Sequence, residues 1–321
     1  MLTEFHFDEF YLGSDELDSD NAIFIHKKII DSWKDFGCFV YPNMKKTDYI
    51  EWINGLEPKI SQLWQVAFSH YKKSSMVSTY TPICDFLNPV DIEATYRADE
   101  LDLIIIPNNS PLINTPLITA HNLEISKTIG IIDSLSFANS KSLCETDIAD
   151  GDSIDDILEK RFKKLIKNSK VITIIDRYWA KNHDEDISRR KPALEKILDY
   201  IYFLKKNISI VIYTSNVNSP DNYNTILTNY VNFTLKGSTN FSKYITYFEI
   251  SVCDDNLFQP KGHDRYLAFD DKVCILGRGI SIFRAYPVQN CTLNIKDINQ
   301  TQFNKILKEF SRNRKFKIDI L

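Results

Sequence analysis

Residues 263–279 read His263-Asp264-Arg265-Tyr266-Leu267-Ala268-Phe269-Asp270-Asp271-Lys272-Val273-Cys274-Ile275-Leu276-Gly277-Arg278-Gly279. Two apolar runs, 265–269 and 273–276, flank the polar Asp270-Asp271-Lys272, which predicts a β-hairpin. Alternate residues of an extended chain share a face, so His263 and Arg265 leave their strand on the same side. That sets an imidazole beside a guanidinium, which is the geometry a phosphate needs. An arginine clamps two phosphate oxygens where a lysine offers a point charge.

Outward from the hairpin, the second half of the chain alternates strand and helix signals, so it reads as α/β. Val171-Ile172-Thr173-Ile174-Ile175 is a continuous apolar, β-branched run, as expected of a strand covered on both faces. It delivers Asp176-Arg177-Tyr178-Trp179 at its C-terminal end, where ligand sites gather in open α/β sheets. The same Asp-Arg pair also reads as a structural ion pair. Helices are expected from Ser153 to about Asn168, from Pro192 through Leu204, near 221–230 and over about 300–312. Further strands are expected at Ile208–Tyr213 and 244–252. The run Arg312 to Lys317 reads as a basic tail. His183, in the polar stretch Lys181-Asn182-His183-Asp184-Glu185-Asp186, reads as a solvated residue.

The first half reads as mainly helical. Ile25, Ile29, Trp33 and Phe36 mark a helix over 20–36, with Gly37 as its terminator. A second helix starts near Asp48, with Glu51 as a capping partner. Ile60, Leu63, Trp64, Ala67, Phe68 and Tyr71 define the buried face of a third. Residues 101–106 read as a buried strand. The acidic, polar stretch Cys144–Asp155 is the expected boundary, giving a region 1–150 of unknown type and an α/β domain 151–321.

Charge divides along the same line. Residues 1–150 hold 11 Lys+Arg and 23 Asp+Glu, a net of −12, and residues 151–321 hold 28 and 20, a net of +8. A positive field on the second half fits an anionic partner, nucleic acid or phospholipid headgroups, although charge runs also simply face water. The acidic half fits a masking or partner-protein role. Asp99, Glu100 and Asp102 could hold a divalent metal, but no accompanying Lys or paired Asp stands at a recognisable spacing. There is no P-loop, Gly-x-Gly-x-x-Gly or Gly-x-Ser-x-Gly pattern. The six cysteines include no Cys-x2-Cys pair, so a zinc site or disulfide framework is not expected and reduced thiols in a cytoplasmic protein are. The acidic start Met-Leu-Thr-Glu-Phe-His-Phe-Asp-Glu is unlike a signal peptide, and no apolar run approaches the roughly 20 residues of a membrane span.

The spacing of His263, Arg265, Asp270 and Gly277 resembles the signature of the phospholipase D superfamily, His-x-Lys-x4-Asp-x6-Gly-Ser-x-Asn. Arg265 stands where the lysine belongs, and Gly277-Arg278-Gly279-Ile280 replaces Gly-Ser-x-Asn, so the serine and asparagine are lost. The likeness covers about 165–315 and is nearest to the divergent His-Asp-Arg branch. That branch includes the C-terminal domain of MIT-domain proteins, where the motif also runs into Gly-Arg-Gly, and bacterial relatives. The resemblance implies a phospholipase D-like single-repeat α/β domain. It also implies His263 as nucleophile, Arg265 as phosphate clamp, Asp270 as the group orienting His263, and no metal or cofactor. Asp176, Arg177, Tyr178 and Arg278 would line the same cleft, the last three as phosphate ligands.

Two functions follow from the resemblance. One is a phosphodiesterase directed at nucleic acid, a prokaryotic antiviral effector, acting as a homodimer because one motif supplies one histidine where the superfamily mechanism uses two. The other is a catalytically silent module that binds acidic phospholipid or a protein partner, as eukaryotic relatives of this branch do.

Overall fold

The four apolar residues Leu103–Ile106 send alternate side chains into two different cores. In the computed structural model, which describes residues 1–8, 22–217, 219–258, 265–284 and 287–320, Leu103 and Ile105 join one buried cluster while Ile104 and Ile106 join another. A run with no polar residue is therefore a strand with protein on both faces. The chain forms two compact units, Met1–Leu143 and Cys144–Leu321.

The first unit is built on a six-stranded sheet, β1 (Thr3–His6), β2 (Gly37–Tyr41), β3 (Lys73–Ser75), β4 (Leu103–Ile106), β5 (Leu117–Ile118) and β6 (Glu124–Lys127). Its order is β3-β2-β1-β4-β6-β5, and every pairing is parallel except β5 with β6. Helix outweighs strand here, as the mainly helical reading of residues 1–150 expects, but the sequence shows only one strand of the sheet, at 101–106. The expected helices are present at Ala22–Phe36, Lys46–Gly55 and Pro58–His70, but they cover a sheet. Two- to five-residue strands carry too few side chains to show a period, and Thr3-Glu4-Phe5-His6 mixes polar with apolar. Gly37 ends its helix by turning directly into β2. A Cβ there would lie 2.7 Å from the Trp33 Cα, so the site admits only glycine without a shift. One core is largely aromatic, with Phe5, Phe7, Trp33, Phe39, Tyr49 and Trp64 all fully buried.

The second unit carries a seven-stranded sheet: β7 (Val171–Ile175), β8 (Ile208–Ser215), β9 (Ile245–Cys253), β10 (Arg265–Phe269), β11 (Lys272–Leu276), β12 (Leu293–Asp297) and β13 (Arg314–Ile320). The order is β12-β11-β10-β7-β8-β9-β13. β7, β8 and β9 run parallel, and the other pairings are antiparallel. The expected hairpin is present, with Phe269 opposite Lys272 and Asp270 in the left-handed conformation at φ 52°. Helix Phe303–Arg312 packs Phe303, Ile306 and Phe310 on one face of the sheet against Ile175, Tyr213, Tyr266 and Val273. On the other face Phe162 meets Phe269 and Phe283.

Two boundaries move. Ile148 bridges to Cys291 and the Asp147 carboxylate accepts from the Leu293 amide, so the acidic stretch beginning at Cys144 belongs to the second unit rather than dividing the two. That unit then holds 28 basic and 23 acidic residues, a net of +5 rather than +8. The expected basic tail is strand β13, paired along β9.

Candidate functional site

β7 and β8 run parallel, so their carboxyl ends lie side by side, and the segment Asp176–Tyr178 leaves the sheet there. Asp176 is 1% exposed. Its carboxylate accepts from the amides of Tyr178 (3.0 Å) and Ile280 (3.3 Å) and lies 3.8 Å from Arg265 Nε. Burial pushes its pKa above the usual carboxylate value, while Arg265 and the two amides pull it back.

Arg265, the first residue of β10, reaches across to this segment. Its Nη1 donates to the Gly277 carbonyl and its guanidinium lies over the Tyr178 ring, 5.1 Å from the centroid. Arg177 stacks on the same ring at 5.2 Å. Tyr178 is thus a platform shared by two guanidinium groups. Gly279, with φ 60°, completes the wall: a Cβ there would come within 2.7 Å of Arg265 Cδ and 2.8 Å of Asp176 Cγ. Gly279 therefore fixes how closely the Gly277–Ile280 turn approaches Asp176.

The structure brings together Asp176, Arg177, Tyr178, Arg265 and the backbone of 277–280, and it distinguishes their roles. Arg177 is held by Asp255 through two bonds of 2.8 and 2.6 Å, and Ser215 donates to the same carboxylate at 3.1 Å. Arg177 thus forms an ion pair, with Asp255 and not with the adjacent Asp176 of the expected Asp-Arg pair. Arg278 is exposed, its amide points at the Cys291 thiol, and among the described residues its guanidinium has no hydrogen-bonding or ionic partner. The Nη2 of Arg265 is likewise without a partner among the described residues. His263 lies outside the described residues.

Asp270 does not belong to this cluster. Its carboxylate accepts from the amides of Lys170 and Val171, both at 2.9 Å, at the opposite end of β7. Five residues of strand separate it from Arg265, about 16 Å of extended chain, so its carboxylate holds the start of β7 and lies outside the cluster.

His183 is also corrected. It is 2% exposed on helix Trp179–Ile187, whose buried positions Trp179, Ala180, His183 and Asp186 follow helical spacing through a stretch too polar to show it. Its Nδ1 meets the Tyr223 hydroxyl at 3.3 Å, its Nε2 has no hydrogen-bond partner among the described residues, and burial lowers its pKa to about 4.

Sequence reasoning also missed the brace behind the cluster. Arg284 binds Asp186 through bonds of 2.7 and 2.8 Å, with further bonds to Asn182 and Glu185, tying that helix to the turn that carries Gly279. The partners lie about a hundred residues apart, and no local pattern announces them.

In the first unit the acidic group Asp99, Glu100 and Asp102 is not gathered into a ligand set. Asp99 accepts from the amides of Val77 and Ser78, and Asp102 from that of Glu4. Among the described residues no group of three or more His, Cys, Asp or Glu is arranged to hold a metal. Among them, too, no helix is long and apolar enough to cross a membrane.

No family model matches the chain, and no curated protein matches it. Among solved structures it has a likeness to TrmBL2, an archaeal chromatin protein with a novel mode of DNA binding, at 16% identity and a TM-score of 0.27. The match spans 53% of this chain and 54% of that one, about half of each.

Proposed function

We propose that the end of the second unit's sheet is a degenerate phospholipase D-like cleft that engages phosphodiesters, with nucleic acid as its ligand. The observation that carries this reading is the pairing of Arg265, stacked on Tyr178 with Nη2 unpartnered among the described residues, with the exposed guanidinium of Arg278 thirteen residues on. Arg265, beside the carboxyl end of β7, and Arg278, two residues past the end of β11, suit the planar, bidentate recognition of phosphate oxygens. Arg265 also occupies the position of the superfamily's phosphate-gripping lysine. The second unit's net charge of +5 adds a positive field that suits a polyanionic strand.

Binding is the primary activity in this reading, and an antiviral role is one setting for it. Cleavage by the superfamily route needs both an attacking histidine and a proton donor, and one copy of the motif supplies His263 alone. The test is retention of single-stranded DNA and RNA across a salt series, beside retention on anionic vesicles. Expected is salt-sensitive binding of nucleic acid, weakened at least tenfold by Arg265→Ala and left folded. Binding to vesicles alone would transfer the cleft to acidic phospholipid, and binding to neither would reject the reading. A nuclease assay in chelator, wild type beside His263→Ala, decides whether the bound strand is cut. Chelator-resistant cutting that His263→Ala abolishes makes the protein a metal-independent phosphodiesterase.

A further inference from the structure

Strand β13 ends the seven-stranded sheet, and no described strand pairs with its outer edge. Such an edge offers unpaired amides and carbonyls to any extended chain, and proteins usually defend it with a bulge, a proline or unbalanced charge. β13 has its one register shift between Arg314 and Phe316, and from Phe316 to Ile320 it follows β9 residue for residue. It contains no proline. Its lysines are already balanced within the chain: Lys315 pairs with Asp254 at 2.6 Å, and Lys317 with Asp319 at 2.8 Å and Glu249 at 3.4 Å.

The regular part of the strand is self-complementary. Phe316, Ile318 and Ile320 lie half-buried on one face, and Lys317 and Asp319 lie exposed on the other. Let two copies align antiparallel about a two-fold axis through Ile318. Ile318 then meets Ile318 of the second copy, Phe316 meets Ile320, and Lys317 meets Asp319 in both directions. Aromatic–aliphatic and opposite-charge pairs directly across a sheet are the stabilising ones. Moving the axis to Lys317 sets two ammonium groups opposite each other, and a half-step slip lays apolar side chains on the other copy's charged face. One register satisfies every pair.

We infer that β13 is a self-pairing surface that joins two copies of this chain through one continuous sheet. The axis stands perpendicular to the sheet, so the two Asp176–Tyr178 clusters open toward opposite ends. β8 and β9 separate β7 from β13 in each copy. At about 4.8 Å per interval, the seven intervals between β7 and its copy set the clusters roughly 34 Å apart across the sheet. This dimer is therefore independent of the proposed phosphodiester cleft and does not place one cleft's groups in the other.

A seven-residue strand pair is small beside the roughly 1,200 Å² of a standard interface, so association is weak and the mass must be followed to about 1 mM. The experiment is sedimentation equilibrium on the full chain. Wild type is expected to dimerise with concentration. Lys317→Glu and Asp319→Lys each set like charges across the axis and are expected to weaken the dimer at least tenfold. An equimolar mixture of the two variants is expected to restore it, because each chain then presents the charge the other lacks. Mixing cannot repair a disturbance within one chain, such as the loss of the Lys317–Glu249 pair. Should either variant fail to fold, Ile318→Lys takes its place, since it opposes two ammonium groups at the axis and is expected to yield monomer. A wild type that stays monomeric at the highest concentration overturns the inference. So does a dimer indifferent to these substitutions, or a variant mixture that remains monomeric.

Discussion

The two units put charge inside in opposite ways. In the first, buried carboxylates are used up on backbone amides. Glu124, 3% exposed, accepts from the Ser134 hydroxyl and from the amides of Leu135 and Ser136, at the start of helix Leu135–Glu145. Asp8 accepts from the Ile83 amide, and Asp99 and Asp102 act similarly. In the second unit charged side chains meet each other, as Arg177 with Asp255, Arg284 with Asp186 and Arg314 with Glu249. Arg278 stands outside that pairing and Arg265 only partly inside it. The buried acidic residues of the first unit thus pin backbone. The basicity of the second leaves some cations outside such pairs, and Arg278 and part of Arg265 are among them.

The contrast can be broken most forcefully at Glu124. Glu124→Ala leaves two amides and a hydroxyl without their acceptor in a buried site, and a loss of about 3 kcal/mol is expected in denaturant unfolding. A loss under about 1 kcal/mol would mean that the carboxylate is not holding the loop. His183 tests the second unit through pH. Its folded pKa of about 4 lies below the unfolded value of 6.5, so the unfolded chain takes up a proton first as pH falls. The stability is full above pH 6.5 and declines between 6.5 and about 4, by about 3 kcal/mol. In His183→Phe that decline should flatten, and an identical pH profile in wild type and variant would refute the assignment.

Arg284 and Arg278 supply the smaller effects and the sharper comparison. Arg284→Met strands the Asp186 carboxylate with only the more distant Arg190, at 3.2 Å, and is expected to cost about 2 kcal/mol. Arg278→Ala removes an exposed cation and should change stability by less than about 0.5 kcal/mol, while weakening nucleic-acid retention severalfold and reducing its salt dependence. Equal effects of the two substitutions on stability would erase the distinction between a brace and a ligand group.

Much of the second unit was legible because its strands are long enough to show pattern. Val171–Ile175, Ile208–Tyr213 and the hairpin each carry five or more residues of continuous or alternating signal, and the structure keeps them with shifts of a residue or two. The strand end at Asp176–Tyr178 and the hairpin start at Arg265 were each legible locally, and their meeting was expected from the family resemblance alone. The first unit was not, since Thr3–His6 becomes a strand by pairing with β2 and β4 and Lys73–Ser75 by pairing with β2, which no four-residue window reveals.

What the chain determined alone, then, is periodicity: which residues form helices, which runs are covered on both faces, and which residue types stand two or five apart. Tertiary structure decided everything that depends on distance across the fold. It took Asp270 out of the cleft, because five extended residues carry a carboxylate to the far end of a strand. It turned His183 inward, because a helix buries a face whatever the average polarity of its segment. And it separated Arg177 from Arg278, alike in sequence, because Asp255 meets one guanidinium and no described residue meets the other.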